Sequence, residues 1–288
     1  MVEFKKREAE YVGYDAHPYE ALLDDYEPGL TVAKIDSVFA DVKAQLFPFI
    51  KQIAEKKKPE SSLLTQHFPK EQQLVFTRKL VEQMGFDFER GRADFTMHPF
   101  CTTFGPGDVR ITLWSDENFL NAMVFAGIHE AGHGLYELGL PLESEYGLPL
   151  GQAISLAFHE SQSRFWENNI ARSLPYWKGN FKLLQEHFPE QFKTASVEQY
   201  YSAINEVQPS FIRVEADELT YHAHIYIRYL IEKSLVEGSL KAKDIPAMWN
   251  EKYQEYGSQL AQGAGRIVRR TQCDTGGGPS GTNPAGLE

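Results

Sequence analysis

The chain has 288 residues, of which 42% are hydrophobic, 13% aromatic and 24% charged, and its formal net charge is −11. That length suits one large domain or two small ones with a sizeable core, and the acidic balance argues against nucleic acid or an anionic membrane as a partner. No run of about 18 apolar residues suggests a transmembrane helix, the charged start Met-Val-Glu-Phe-Lys-Lys-Arg-Glu does not read as a secretory signal, and Cys101 and Cys273 make no disulfide framework, which fits the cytoplasm.

In chain order, Thr31 to about Lys57 carries Val32, Ile35, Val38, Phe39, Val42 and Leu46 at helical spacing. A second helix is expected from Pro69 to Met84, with Pro69 in its first turn and Gly85 at its end. Phe95–Thr103 and Asp108–Trp114 flank the turn signal Gly105-Pro106-Gly107. In the latter segment Val109, Ile111 and Leu113 share one face, and Asp108, Arg110 and Thr112 the other, so a short hairpin with a polar face is expected. Further helices are expected from after Ser115 to near Gly139, from about Leu150 to Ser173, from Pro209-Ser210 towards Gly238, and from Asp244 to about Tyr256. Residues 257–288 hold 8 of the chain's 22 glycines, three arginines and no aromatic residue, and read as a disordered tail.

The densest chemical signal is His129-Glu130-Ala131-Gly132-His133. Two histidines four apart on a helix point the same way and can grip one metal ion, while the glutamate between them sits about 100° round the helix, beside the ion. This suits Zn²⁺, which acidifies water, with a carboxylate placed to take the proton. Catalytic zinc usually takes a third protein ligand. Glu160, in His159-Glu160-Ser161-Gln162-Ser163-Arg164, can be brought opposite His133 by a helix pair joined through the 141–149 loop, with Arg164 one turn on to orient it. His159 and Glu137 are competitors, the first facing about 100° away from Glu160 and the second following both histidines on their own helix.

These residues carry a family resemblance. His98-Pro99-Phe100, Asp108-Val109-Arg110-Ile111-Thr112, the 129–133 pentapeptide, His159-Glu160-Ser161 and Ile212-Arg213-Val214-Glu215-Ala216-Asp217 follow in the order of the motifs of the carboxypeptidase Taq family, the thermostable carboxypeptidase 1 type of metallopeptidase. The resemblance covers roughly residues 5–256. It implies a mainly α, helical zincin-like metallopeptidase fold with the short β-hairpin next to the metal helix, a catalytic domain over residues 1–256, and Glu160 as third metal ligand beside His129 and His133. It also implies a homodimer, and peptide substrates from whose C-termini single residues are removed. Family members are commonly longer and carry a downstream Gly-x-x-Gln-Asp-x-His-Trp motif that this sequence lacks, so a chain truncated at both ends is expected.

On this reading Glu130 is the general base, and the ion is Zn²⁺, one per chain, with Co²⁺ and Mn²⁺ accepting the same ligands. An exopeptidase must recognise a free α-carboxylate, for which the planar fork of arginine is suited. Arg213 is the first candidate and Arg110 the second. A helix running through 213–228 would align Arg213, Asp217, Tyr221, His224 and Arg228 on one polar face, although Arg213–Asp217 and His224–Arg228 are also ordinary i,i+4 pairs. The resemblance places Tyr221 and His224 near the site as hydrogen-bond donors. His98 either helps position substrate or serves a His-Pro turn. His17, His67, His187 and His222 are read as structural or surface residues, and Phe165-Trp166 as core. The alternatives are a catalytically impaired fragment that binds metal or peptide without turnover, and a helical zinc endopeptidase or aminopeptidase.

Overall fold

The structure, a computed structural model, describes residues 1–208, 213 and 216–256. The expected disordered tail and residues 209–212 and 214–215 of the Ile-Arg block lie outside the described residues. The described chain is mainly helical. Its elements are α1 (Val2–Val12), α2 (Pro18–Leu23), α3 (Val32–Ala54), α4 (Lys70–Gln83), β1 (Gly91–Phe95), β2 (Cys101–Gly105), β3 (Asp108–Leu113), α5 (Leu120–Gly139), α6 (Leu142–Glu145), α7 (Leu156–Arg164), α8 (Leu174–His187), α9 (Pro189–Phe192), α10 (Val197–Ile204), α11 (Thr220–Glu237) and α12 (Ile245–Tyr256). They form two compact units: one of Met1–Tyr19, Val32–Ile53 and the described residues from Val207 on, the other of Glu20–Thr31 and Ala54–Glu206.

The second unit is organised around α5. The sequence supplies α5 with apolar residues on most of its circumference, and ten of its twenty residues are buried. Leu120, Val124 and Ile128 enter an aromatic core with Phe68, Phe76, Trp177, Phe188, Phe192 and Tyr200 from α4, α8, α9, α10 and the segment before α4. Burying each such side chain stabilises the fold by about 1.5–3 kcal/mol. Ala131 enters a second cluster with Val81, Phe86, Val109 and Ile111, which seats the sheet on α5 and α4. The entrance to α5 is pinned by the buried Gln73, whose amide nitrogen donates to the carbonyls of Phe68 (2.7 Å) and Asp116 (2.9 Å). Helix α5 begins at Leu120, five residues beyond Ser115, because Asp116–Phe119 is taken up by an isolated bridge and an Asp116 turn.

The hairpin is present and is enlarged. β2 and β3 pair antiparallel around Pro106-Gly107, where Gly107 takes a positive φ of 72°, and β1 pairs parallel to β3 on its other edge. Val109, Ile111 and Leu113 are buried towards α5, so Arg110 is on the opposite face. β1 escaped the periodicity reading because only five residues, three of them polar or glycine, form it.

The helix expected from Leu150 starts at Leu156, where Ser155 caps it by accepting from the Phe158 amide at 3.1 Å. Leu150, where the earlier start was expected, is 77% exposed. Beyond Arg164 the helix widens into a π-turn over Phe165–Ile170. Trp166 packs against the aromatic core, but Phe165 is half-exposed and is not core, contrary to the sequence expectation. Pro175 opens α8 rather than merely ending the preceding helix, with Ser173 as its cap.

α5 and α7 run antiparallel and meet at Gly132. A Cβ there would stand 2.7 Å from the Ser163 Cα and 3.0 Å from the Gln162 carbonyl oxygen, so only a hydrogen atom fits. Neither obstacle is the end of a flexible side chain.

In the first unit α11 packs with α12 through Ile227, Ile231 and Tyr253, and with α3 through Ala223, Phe47 and Ile50. Phe39 lies between Tyr226 and Tyr229, at centroid distances of 5.0 and 5.1 Å. The helix expected from Pro209-Ser210 starts at Thr220. Asp217 precedes it and serves it: Oδ1 accepts from the amides of Leu219 and Thr220, and Oδ2 from the Thr220 hydroxyl and the Gln208 amide. Arg213 and Asp217 therefore do not share a helical face with Tyr221, His224 and Arg228.

Two outcomes test this fold. Gly132→Ala gains about 1 kcal/mol of helix propensity but meets backbone, and overpacking costs about 1–3 kcal/mol. The melting temperature is expected to fall, while Gly139→Ala, whose added Cβ meets nothing within 4 Å, leaves it unchanged or raised. Asp36 accepts from Lys233 Nζ (2.6 Å) and the Tyr229 hydroxyl (2.8 Å). Partial burial opposes its ionisation, but those two bonds and the lysine charge outweigh it and lower its pKa. A folded pKa below the unfolded value gives stability that is present above about pH 4 and is lost as pH falls through the folded pKa. Asp36→Asn should therefore cost on the order of 0.5–1 kcal/mol at neutral pH for so exposed a pair. Thermal melts in a pH series should show that difference shrinking as the pH falls below about 4.

Candidate metal centre

α5 presents His129, Glu130 and His133, and α7 presents Glu160 from the antiparallel strand of chain across Gly132. His133 Nε2 is 3.2 Å and His129 Nε2 3.6 Å from Glu160 Oε2, and one ligand atom from each of the three residues lies within 4.8 Å of the others. Donors about 2.1 Å from one tetrahedral centre stand about 3.4 Å apart. Two imidazoles and a carboxylate at these separations therefore fit a divalent ion, and the donor types suit zinc as they do cobalt or manganese. Among the described residues this is the group of histidine, cysteine and acidic side chains with such convergence.

Glu130 is 7% exposed. Burial, reinforced by the charges of Glu160 and Glu167 against the opposing effect of His129 and His159, pushes its pKa up to about 7. A carboxyl poised there can both take and release a proton near neutrality. Burial alone would raise Glu160 too, but the His133 hydrogen bond and the charges of His129, His133 and Arg164 lower it. Its ionised form is the one a metal requires.

The imidazole nitrogens turned away from Glu160 are also engaged. His129 Nδ1 is 2.8 Å from Glu167 Oε2. Glu167 also accepts from Arg164 Nη1 at 3.0 Å, and Arg172 Nη2 is 3.6 Å from its other oxygen. Burial works against the Glu167 charge, but the His129 bond and the two arginines hold its pKa down at about 2. Burial lowers His129 as well, yet its Glu167 bond and the surrounding carboxylates raise it overall. His133 goes the other way: burial and the neighbouring imidazoles lower it despite the Glu160 bond. Its Nδ1 is 2.6 Å from His159 Nδ1, while His159 Nε2 is 2.7 Å from Glu137 Oε1. His159 and Glu137, competitors for the third ligand position from sequence, thus stand behind His133 and bond each other.

Cys101, on β2, completes the surroundings. Burial, with the Glu130 and Glu137 carboxylates nearby, pushes its thiol far up, so it stays protonated.

The other residues singled out from sequence are dispersed. Arg110 makes a two-pronged bond to Asp108 (2.8 Å to each oxygen) and lies 4.4 Å over the Phe104 ring. His98 is exposed, and its carbonyl accepts from the Thr96 hydroxyl at 2.7 Å. Arg213, Tyr221 and His224 belong to the other unit. There Arg213 Nη1 donates to the Tyr221 hydroxyl (2.7 Å), and His224 is buried with Nδ1 2.6 Å from the Tyr253 hydroxyl. Sequence reasoning missed Glu167. The available signal was its spacing: seven residues after Glu160 is two helical turns, hence the same face.

The family model for carboxypeptidase Taq (M32) metallopeptidases matches residues 1–260. Carboxypeptidase 1 of Bacillus subtilis is 46% identical over 257 residues, covering 89% of this chain and 51% of its own length. Thermostable carboxypeptidase 1 of Thermus thermophilus is 45% identical over 239 residues, 83% of this chain and 46% of its own. The crystal structure of an M32 carboxypeptidase from Deinococcus radiodurans superposes with a TM-score of 0.87 at 35% identity, over 91% of this chain and 52% of that one. The chain thus spans about half the length of the curated relatives it matches.

Removal of Glu167 should expose how much the centre rests on it. Glu167→Ala leaves Arg164 and Arg172 without their buried partner, and breaking a buried charge cluster costs about 3–5 kcal/mol. Chemical denaturation is expected to show a loss of that order, and a loss below about 1 kcal/mol would mean that water replaces the carboxylate.

Proposed function

The chain belongs to the carboxypeptidase Taq (M32) metallopeptidase family, and on that footing we propose that it is a zinc-dependent metallocarboxypeptidase acting on peptides with a free C-terminus. The observation that carries this reading is the convergence of His129, His133 and Glu160 beside the buried carboxyl of Glu130. The three ligands hold one divalent ion per chain: Zn²⁺ first, Co²⁺ or Mn²⁺ with the same donors. When bound, the ion supplies Lewis acidity, polarising a peptide carbonyl and acidifying water.

Glu130 takes a proton from water as the new C–O bond forms, and hands it to the amine nitrogen as the C–N bond breaks. Its raised pKa in the site favours both halves of that transfer. His129 and His133 turn their Nε2 atoms towards Glu160, while their Nδ1 atoms meet Glu167 and His159. Arg213 is the first candidate to bind the substrate α-carboxylate and Arg110 the second, the latter having to exchange its Asp108 partner for the substrate. We further propose that Tyr221, His224 and His98 contact substrate and that residues 1–256 form one catalytic domain, as the motif resemblance implies. A homodimer and a cytoplasmic location complete the proposal. Among the described residues no helix is long and apolar enough to cross a membrane.

The test is hydrolysis of an N-blocked dipeptide by the full chain, with metal content measured in parallel. Activity is expected, lost with a chelator and restored by Zn²⁺ or Co²⁺. Glu130→Gln should keep the ion and lower the rate by about 10²–10⁴-fold, the usual worth of a positioned general base. Full activity in that variant would remove Glu130 from its role. Bound metal without turnover in the parent chain would favour the non-catalytic reading.

A further inference from the structure

We propose that His159, Glu137 and Thr103 form a positioning relay that fixes the ring and tautomer of His133, an inference that rests on the metal site proposed above. The relay is a continuous line of short hydrogen bonds drawn from three elements. His133 Nδ1 lies 2.6 Å from His159 Nδ1, across α5 and α7. His159 Nε2 lies 2.7 Å from Glu137 Oε1, back on α5. The Thr103 hydroxyl, on β2, donates to Glu137 Oε2 at 2.7 Å. The side chains of His133, His159 and Glu137 are 16%, 16% and 17% exposed, so water competes poorly for these bonds.

Donor and acceptor roles along the line are forced once one end is set. Two imidazole nitrogens 2.6 Å apart share a single proton. His133 Nε2 faces Glu160 and must keep its lone pair to ligate an ion, so the neutral ring carries its proton on Nδ1 and donates it to His159. His159 then carries its own proton on Nε2 and donates to Glu137, an acceptor that also receives the Thr103 proton. Every donor has one acceptor, and none of the three supporting residues needs to touch the ion. The edge of the Tyr136 ring packs on His159 with centroids 5.0 Å apart and planes at 89°, which limits rotation of the intermediate imidazole.

The two metal-facing histidines are therefore backed unequally. His129 meets its carboxylate, Glu167, directly, whereas His133 reaches Glu137 through an intervening imidazole. A plain interhelical pair between Glu137 and His159 would tie α5 to α7 without affecting how His133 binds metal. The relay makes metal affinity depend on residues two and three bonds removed.

The experiment measures Zn²⁺ affinity of the full chain by competition with a chromophoric chelator, alongside thermal unfolding of the metal-free protein and the visible spectrum of the Co²⁺ form. Partners behind a metal-ligating histidine typically account for about 10–100-fold in affinity. His159→Ala is expected to weaken Zn²⁺ binding by that factor and to alter the Co²⁺ bands. Glu137→Gln should weaken it less, and Thr103→Val least. The His159→Ala, Glu137→Gln double variant should bind no more weakly than His159→Ala alone, because Glu137 acts only through His159. Zn²⁺ affinities within twofold of the parent in both His159→Ala and Glu137→Gln would overturn the relay. So would additive losses in the double variant, or a lowered melting temperature with affinity unchanged. Should His159→Ala fail to fold, Glu137→Gln and Thr103→Val carry the same comparison. A parent chain that does not bind Zn²⁺ would overturn the metal-site reading and the relay with it, an outcome distinct from a parent that binds and variants that bind equally.

Discussion

The site depends on how closely two helices approach at one residue. Gly132 has no side chain, and the backbone of α7 at Gln162 and Ser163 occupies the space a Cβ would need. His129 and His133 flank that contact on α5, and Glu160 lies one turn before it on α7, so the backbone separation sets the ligand separation. The aromatic core on one side of α5 and the sheet on another press the helix into place. Hard contact at Gly132 limits how near α7 can come, while the side chains of Thr77 and Phe86 fill the space beside Gly127 and Gly134.

Around that contact the charges are ordered by burial. Glu167 is held as an anion by an imidazole and two guanidinium groups, while the imidazoles near Glu130 do not offset its burial and its pKa is pushed up to about 7. Two carboxyls beside the same histidine are therefore shifted in opposite directions, and the difference lies in their partners. This arrangement explains why the π-turn after Arg164 matters. It continues the face of α7 far enough for Glu167 and Arg172 to meet His129 and Glu167 respectively.

Much of this was legible in the chain. The i,i+4 histidines required only helical geometry, and α3, α4, the hairpin, α5 and α12 follow periodicity and turn chemistry to within a few residues. Glu160 was one of several candidates by spacing and was singled out by the motif resemblance. What stayed hidden involves polar groups whose partners are distant in sequence. Glu167 was missed, and His159 and Glu137 read as rivals for a ligand position because nothing local reveals that they bond each other. The start of α11 was misplaced because Asp217 fits a helical i,i+4 pattern equally well whether it sits inside the helix or caps it. The start of α7 was also placed too early, since Leu150 lies exposed in the segment before it.

Cys101 shows what else the crowded carboxylates do. A sulfur close to a zinc-type site is ordinarily a hazard, since a thiolate competes for soft ions and is the form that oxidants and alkylating agents attack. Burial does most to keep this one a thiol, and Glu130 and Glu137 add to it. The packing that seats the histidines thereby silences the neighbouring sulfur, leaving nitrogen and oxygen as the donors that converge.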